Sequence, residues 1–286
     1  MNWVLLALSV FLSAGRNLLS KHISSEGFGT AGFFRCQTKI FGAGAAVLAL
    51  PALLSREIPT LLTVFYALLY GLLLVGAQWC YTAALGKGNT AVCATVYSFG
   101  FLLPTVSGMV FWQETVTVWK ILGIAAVFPA LILSGATPGK KRSSGKGFFL
   151  PLVTAMLCSG GLGILQKVQQ SSPDPQQRTV FVGIAFGVAA LISLVCGGRK
   201  GLSKKAATGS GLAAAGVGVC FALCNLLNTF LAGRLDSAVF FPGLNVGTIL
   251  LSTVLSLFLF REKLSVRHLG VLALGTVSIL LINFSL

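Results

Sequence analysis

The sequence predicts an all-α integral membrane protein with ten transmembrane helices, arranged as two inverted five-helix repeats. Three observations carry that prediction. Charged residues make up 9% of the 286-residue chain and apolar residues 55%, whereas soluble domains use roughly 25% charged residues to cover their surface. Apolar runs of membrane-spanning length follow one another from end to end. One unit is also written twice, its copies about 147 residues apart.

A helix that crosses a bilayer needs about 20 mostly apolar residues at 1.5 Å rise. The first run, Trp3–Leu19, has its charges Arg16 and Lys21 at its far end and no basic stretch ahead of it, so it reads as a retained span rather than a cleavable signal. Thr30–Leu54 and Leu61–Leu85 follow as the second and third spans. Asn89 is a good N-cap for the fourth, Thr90–Trp112, and Val116–Ala136 is the fifth. Pro138-Gly139 cannot continue a helix, and with Lys140, Lys141, Arg142 and Lys146 it makes Thr137–Gly147 a short basic linker. The sixth span, Phe148–Gln166, stops before the breaker Ser172-Pro173-Asp174-Pro175. Thr179–Gly197 and Gly209–Ala232 are the seventh and eighth. Asp236 caps the ninth, Asp236–Phe260, and Ser265–Phe284 is the tenth. The runs are continuous rather than alternating with period two, which disfavours a β-barrel.

The duplication covers most of each half. Gly86-Lys87-Gly88-Asn89-Thr90-Ala91-Val92 returns as Gly233-Arg234-Leu235-Asp236-Ser237-Ala238-Val239. Each copy leads through an apolar run to a glutamate with a similar sequel, Glu114-Thr115-Val116-Thr117-Val118 and Glu262-Lys263-Leu264-Ser265-Val266. Ser13 to Lys21 is likewise matched by Ser159 to Lys167. The chain divides into a first five-helix repeat (residues 1–136), the basic linker (137–147) and a second five-helix repeat (148–286). Five is odd, so the second copy enters the membrane from the opposite side, the inverted topology of many secondary transporters. Thirteen of the 21 basic residues fall in loops on the linker side, and five (Arg56, Lys120, Lys167, Arg178 and Arg234) fall on the other. The positive-inside rule then puts the linker in the cytoplasm and both termini outside. The compact loops suit a bacterial cytoplasmic membrane.

The helix-ending motifs carry a family resemblance. Phe111-Trp112-Gln113-Glu114-Thr115-Val116-Thr117 with Gly123, and Phe260-Arg261-Glu262-Lys263-Leu264-Ser265 with Gly270, resemble the paired signature of EamA-type members of the drug/metabolite transporter superfamily. Pro104, ten residues before Glu114, matches the proline of that helix, while the ninth span has Ser252 at the corresponding place. The resemblance implies a carrier that moves small organic metabolites outward, by alternating access between two five-helix bundles.

In inverted-repeat carriers the substrate lies near the midplane between the halves. At the repeat offset Gln78 matches Asn225, Tyr81 matches Asn228 and Ser98 matches Asn245. Gln78 with Tyr81, and Asn225 with Asn228, are spaced i, i+3 and share a helix face. Polar side chains in hydrocarbon are expensive and face protein or a watery cavity; interhelical hydrogen bonding worth about 1 kcal/mol is their alternative use. Trp79, Tyr97 and Phe99 would supply apolar walls. Arg16, Arg35 and Lys39 are the cations inside helices. Arg35 and Lys39, at i, i+4, could hold a carboxylate or phosphate, or snorkel to the cytoplasmic face.

The six acids, Glu26, Glu57, Glu114, Asp174, Asp236 and Glu262, all avoid the helix middles. A cation/proton antiporter that works through a membrane-buried carboxylate is therefore disfavoured, and Glu114 and Glu262 are expected to cap or orient the helices that follow them. Seven cysteines (Cys36, Cys80, Cys93, Cys158, Cys196, Cys220, Cys224) lie in apolar runs without CxxC or Cys/His spacing, so no metal or cofactor is expected. Cys220 and Cys224, on one face, read as small hydrophobes. Gly183-x-x-x-Gly187 and Gly243-x-x-x-Gly247 permit close helix approach. Ser159-Gly160-Gly161-Leu162-Gly163 is expected to bend the sixth span, and Pro104 and Pro242 mark kinks or gating points.

Loop placement of the cations speaks for the membrane face and against nucleic acid. No P-loop is present, so direct ATP coupling is not expected. His22 and His268 stand in different halves without an acidic cluster, so the chain is not expected to be an enzyme. The expected function is a secondary transporter exporting small polar metabolites such as amino acids. Its partners are the small-molecule substrate and the lipid bilayer, with counter-transport of protons or substrate. A channel or lipid scramblase is the alternative, and a membrane-embedded enzyme acting on lipid-linked substrates is a more distant one.

Overall fold

The computed structural model describes residues 1–23, 29–87, 90–115, 117–135, 147–198, 209–259 and 266–283. Among the described residues the regular structure is helical throughout. The order is α1 (Asn2–Ile23), α2 (Thr30–Leu54), α3 (Leu61–Lys87), α4 (Thr90–Ser98), α5 (Leu102–Phe111), α6 (Val118–Gly135), α7 (Phe149–Gln170), α8 (Arg178–Gly197), α9 (Gly209–Ala232), α10 (Ser237–Leu259) and α11 (Val266–Asn283). Eight helical segments, with α4 and α5 taken as one, are long and apolar enough to cross a bilayer, and Val118–Leu133 and Leu272–Leu281 are shorter apolar helices. A helix satisfies its own backbone polar groups, the condition that hydrocarbon imposes. The outward faces are correspondingly apolar: Val4, Leu8 and Phe11 on α1, and Leu191, Leu194 and Val195 on α8, are exposed. The Asn89 cap, linker residues 137–146, Glu26, residues 199–205 and the Glu262 motif with Arg261 and Lys263 lie outside the described residues.

Proline and glycine shape the helices that line the interior. A single turn of 3-10 helix, Phe99–Phe101, joins α4 to α5. Pro104 accounts for it, because proline brings no N–H to the Gly100 carbonyl and its ring crowds that carbonyl. α10, with Ser252 at the matching place, is one uninterrupted α-helix even through Pro242. α7 is also uninterrupted and extends to Gln170, a turn beyond the expected end at Gln166, and its glycine cluster does not break it. Those glycines let neighbours close in instead. A Cβ on Gly160 would lie 2.7 Å from the Gly100 carbonyl oxygen, and one on Gly163 would lie 2.7 Å from Pro104 and 2.9 Å from Phe241. The two GxxxG pairs are used in part. A Cβ on Gly247 would lie 3.0 Å from Val10 of α1, whereas Gly187 and Gly243 face open space and a Cβ on Gly183 would meet Leu48 at an ordinary 3.7 Å. Small residues bring helices together only where their face meets a neighbour.

The heaviest packing runs between the two halves of the sequence. α2 packs on α8 and α9, α3 on α7 and α8, α1 on α9 and α10, α5 on α7 and α10, and α6 on α11. One core, around Phe41, Tyr70, Phe181, Phe186 and Phe221, joins α2 and α3 to α8 and α9. A second, around Phe101, Val127, Leu131, Phe240 and Phe241, joins α5 and α6 to α9 and α10. Each half therefore buries its apolar faces mainly against the other.

Candidate functional site

A cavity of about 230 Å³ lies where the halves meet, lined by α1, α3 and the α4–α5 run from the first half and by α7, α9 and α10 from the second. Gln78, Asn225, Asn228 and Asn245, picked out by the repeat offset, line it, and so does Tyr97, expected as a wall. Trp79, Tyr81, Ser98, Phe99, Arg35 and Lys39 do not. A helix turns by about 100° per residue, so with Gln78 aimed inward Trp79 is carried round the helix, where it stacks on Phe34 at 4.8 Å between ring centroids. Tyr81 packs on Tyr97 at 4.5 Å and backs the wall from behind. Arg35 lies beside Gly197 at the end of α8, and Lys39 is exposed, so the proposed paired cationic face is absent from the cavity. Arg16 is the cation that reaches it.

The polar residues divide into those held by protein and those left open. Asn225 Oδ1 accepts from Tyr70 OH at 2.5 Å and from Gln166 Nε2 at 3.3 Å, and Gln166 Nε2 also donates to Tyr70 OH at 2.7 Å. Asn228 Oδ1 accepts from Ser9 Oγ at 2.5 Å. Cys224 Sγ, expected as a plain hydrophobe, lies 2.9 Å from Ser13 Oγ and 3.4 Å from Asn228 Nδ2. This network joins α1 and α3 to α7 and α9. By contrast, the amides of Gln78 and Asn245 have no hydrogen-bond partner among the described residues, and neither has the Tyr97 hydroxyl.

Arg16 is placed by packing. Its guanidinium lies over the Phe221 ring, 3.6 Å from the centroid, and Phe221 sits midway along the 24-residue α9. That contact is worth about 0.5–2 kcal/mol and holds the charge inward rather than letting it snorkel to the helix end. No acidic residue lines the cavity.

A second polar cluster clasps one end of the bundle. The chain leaves α5 through Gln113, whose φ of 51° lies in the left-handed region, and the N–H groups of Trp112 and Glu114 both donate to the Gly108 carbonyl at 3.2 and 3.3 Å. Glu114 is thereby turned toward the second half. Its carboxylate accepts from Lys167 Nζ at 2.5 Å, from Ser237 N at 2.7 Å and from Ser237 Oγ at 3.1 Å. It caps α10, not the helix that follows it. Asp236 gives its carboxylate to Lys120 Nζ at 2.9 Å and only its carbonyl to the start of α10, where the N–H groups of Val239 and Phe240 donate at 3.0 and 2.8 Å. Lys120 and Lys167, expected among the loop cations, are thus buried helix residues with acidic partners. Gln177 Oε1 accepts from Thr60 N at 3.1 Å, and Trp112 Nε1 donates to Ser171 Oγ at 2.7 Å. Every one of these ties joins the first half to the second.

Sequence reasoning missed Tyr70, Gln166, Ser13, Asn17 and Cys224 as lining residues. A signal was present on α1, where Ser9, Ser13, Arg16 and Asn17 make a polar stripe at helical spacing within an apolar run. Among the described residues no cluster of His, Cys, Asp and Glu could hold a metal ion.

No family model matches the chain, and no curated protein matches its sequence. A solved crystal structure of a protein has a similar fold, with a TM-score of 0.79 at 15% identity over 99% of this chain and 96% of that one. At that identity the likeness concerns the fold alone.

Proposed function

We propose that the chain is a secondary transporter that moves small polar organic metabolites, amino acids among them, outward across a bacterial cytoplasmic membrane by alternating access. The carrying observation is the cavity, built from both halves at their contact and lined in part by polar side chains, Gln78, Tyr97 and Asn245, that have no hydrogen-bond partner among the described residues. In this reading ten helical segments span the membrane as two inverted repeats of an EamA-like carrier. The packing supports that arrangement, because exchanging the halves carries its heaviest contacts onto one another: α1 on α9 answers α7 on α3, α2 on α9 answers α8 on α3, and the α2–α8 and α6–α11 pairs map onto themselves. The positive-inside orientation puts both termini and the clasp at the outer face. Release outward then requires the Glu114–Lys167 and Lys120–Asp236 pairs to part, so the described state is the one closed to the outside.

The test is counterflow in proteoliposomes preloaded from a panel of amino acids and related metabolites, with Gln78→Ala/Asn245→Ala as the control. Counterflow that this folded double variant loses by tenfold or more supports a carrier with its site in the cavity. Lipid scrambling or ion conductance without counterflow of any panel member sinks the carrier reading in favour of a scramblase or channel.

A further inference from the structure

We infer that the cavity takes its substrate by an oxyanion, a carboxylate or a phosphate, seated on Arg16. The inference rests on the cavity being the substrate site. The contrast with the other cations carries it. Lys167 and Lys120 are buried as well, and each has a carboxylate, at 2.5 and 2.9 Å. Arg16 has none among the described residues; its guanidinium rests on the Phe221 ring, 3.6 Å from the centroid. A charge held inside an apolar helix bundle without an opposite charge is unfavourable. A ring face compensates part of that and leaves the N–H edges of the guanidinium without acceptors.

Those edges form a planar fork that matches a carboxylate or a phosphate through two parallel hydrogen bonds. Arg16 is also the single charged residue of the lining, so an organic cation entering the cavity would meet like charge and no carboxylate. The remaining open groups, the amides of Gln78 and Asn245, each carry both a donor and an acceptor and suit the rest of a small polar molecule, an ammonium or a hydroxyl. A space of about 230 Å³ lies below the range of drug-sized sites and suits a small molecule.

Thermal stabilisation of the detergent-purified protein reads binding apart from transport. The probes are L-alanine, L-leucine, L-phenylalanine and lactate, each beside its amide, and glycerol 3-phosphate beside glycerol. At least one acid is expected to raise the melting temperature, while its partner without the oxyanion fails at tenfold higher concentration; lactate against lactamide makes this comparison without an ammonium in either probe. The amino and hydroxy acids against the phosphate tell which oxyanion is taken. Arg16→Gln should weaken that acid tenfold or more, and Arg16→Lys, which keeps the charge and loses the fork, should weaken it less. If Arg16→Gln does not elute as folded protein, Arg16→Lys and the comparison of each acid with its oxyanion-free partner decide. Oxyanion-free partners binding as well as acids, no acid binding at all, or undiminished acid binding in Arg16→Gln would each overturn the inference. Counterflow of a neutral or cationic metabolite that Arg16→Gln leaves intact removes the oxyanion site and keeps the carrier. Acid binding that depends on Arg16, without counterflow, keeps the site and removes the carrier.

Discussion

At the clasp both buried lysines have a carboxylate, whereas in the cavity Arg16 has none among the described residues. The two regions share helices: Gln166 belongs to the cavity network and Lys167, the next residue, to the clasp. They differ in what the polar groups face. In the clasp, donors and acceptors from the two halves meet each other and hold one end of the molecule together. In the cavity, Asn225, Tyr70 and Gln166 satisfy one another and Asn228 is held by Ser9 and Cys224, while Arg16, Gln78 and Asn245 have no such partners among the described residues. Buried polarity thus serves as fastening in one region and, on the proposed reading, as recognition in the other, and hydrogen-bond accounting tells them apart.

The largest effect is expected where a buried charge loses its partner. Glu114→Gln leaves Lys167 unpaired and should cost about 3–5 kcal/mol, measured by denaturation of the purified protein. Combining it with Lys167→Met should recover much of the loss. A single variant as stable as wild type would remove the clasp from the comparison. Next comes Gly108→Ala. Its Cβ would lie 2.5 Å from both Glu114 Oε2 and Ser237 Oγ, an overpacking worth about 1–3 kcal/mol. The effect should not add to that of Glu114→Gln, since both act on one contact.

Asn225→Ala removes the acceptor for Tyr70 and Gln166 and should cost about 1–2 kcal/mol. Gln78→Ala, at the equivalent place in the first half, should change stability by less than about 0.5 kcal/mol yet lower counterflow about tenfold. Equal destabilisation by the two would erase the division between framework and ligand-facing amides. The smallest effect is expected for Asp236→Asn, about 1 kcal/mol or less, because the Asp236 side chain is 41% exposed while Lys120 is 3% exposed. A loss as large as that of Glu114→Gln would mean that water reaches this pair less than its exposure indicates.

The sequence made the apolar helices legible through run length, and it made Gln78, Asn225, Asn228 and Asn245 legible through the repeat offset. It could not tell which amides are tied up, because Tyr70 and Asn225 are 155 residues apart and meet only through folding. Trp79 was misplaced because proximity in sequence is not proximity on a helix face, and Tyr81, on the same face as Gln78, is taken up by its packing on Tyr97. Glu114 was recognised as a helix-end residue, but its partner helix was not, since Gln113 redirects the chain and no periodicity encodes that turn. Lys167 looked like a loop cation because a charge was taken to end an apolar run, and Lys120, although inside the fifth span, was counted with the loop at its start. Burial with Asp236 and Glu114 lets both helices continue through them.

The crossing of α7 over the start of α5 has a mechanical consequence. With glycine at 160 and at 100, part of this contact is backbone against backbone, the Gly100 carbonyl lying 2.7 Å from where a Gly160 Cβ would stand. Interlocked side chains resist shear because rotamers must reset before one helix can pass another. The glycine-to-glycine part has no such detents; Leu103 and Ser159, the side chains that also border it, are the ones that would have to reset. On the proposed alternating-access reading this crossing is where the halves would shear with least resistance, and the ties at the bundle end would hold the described state.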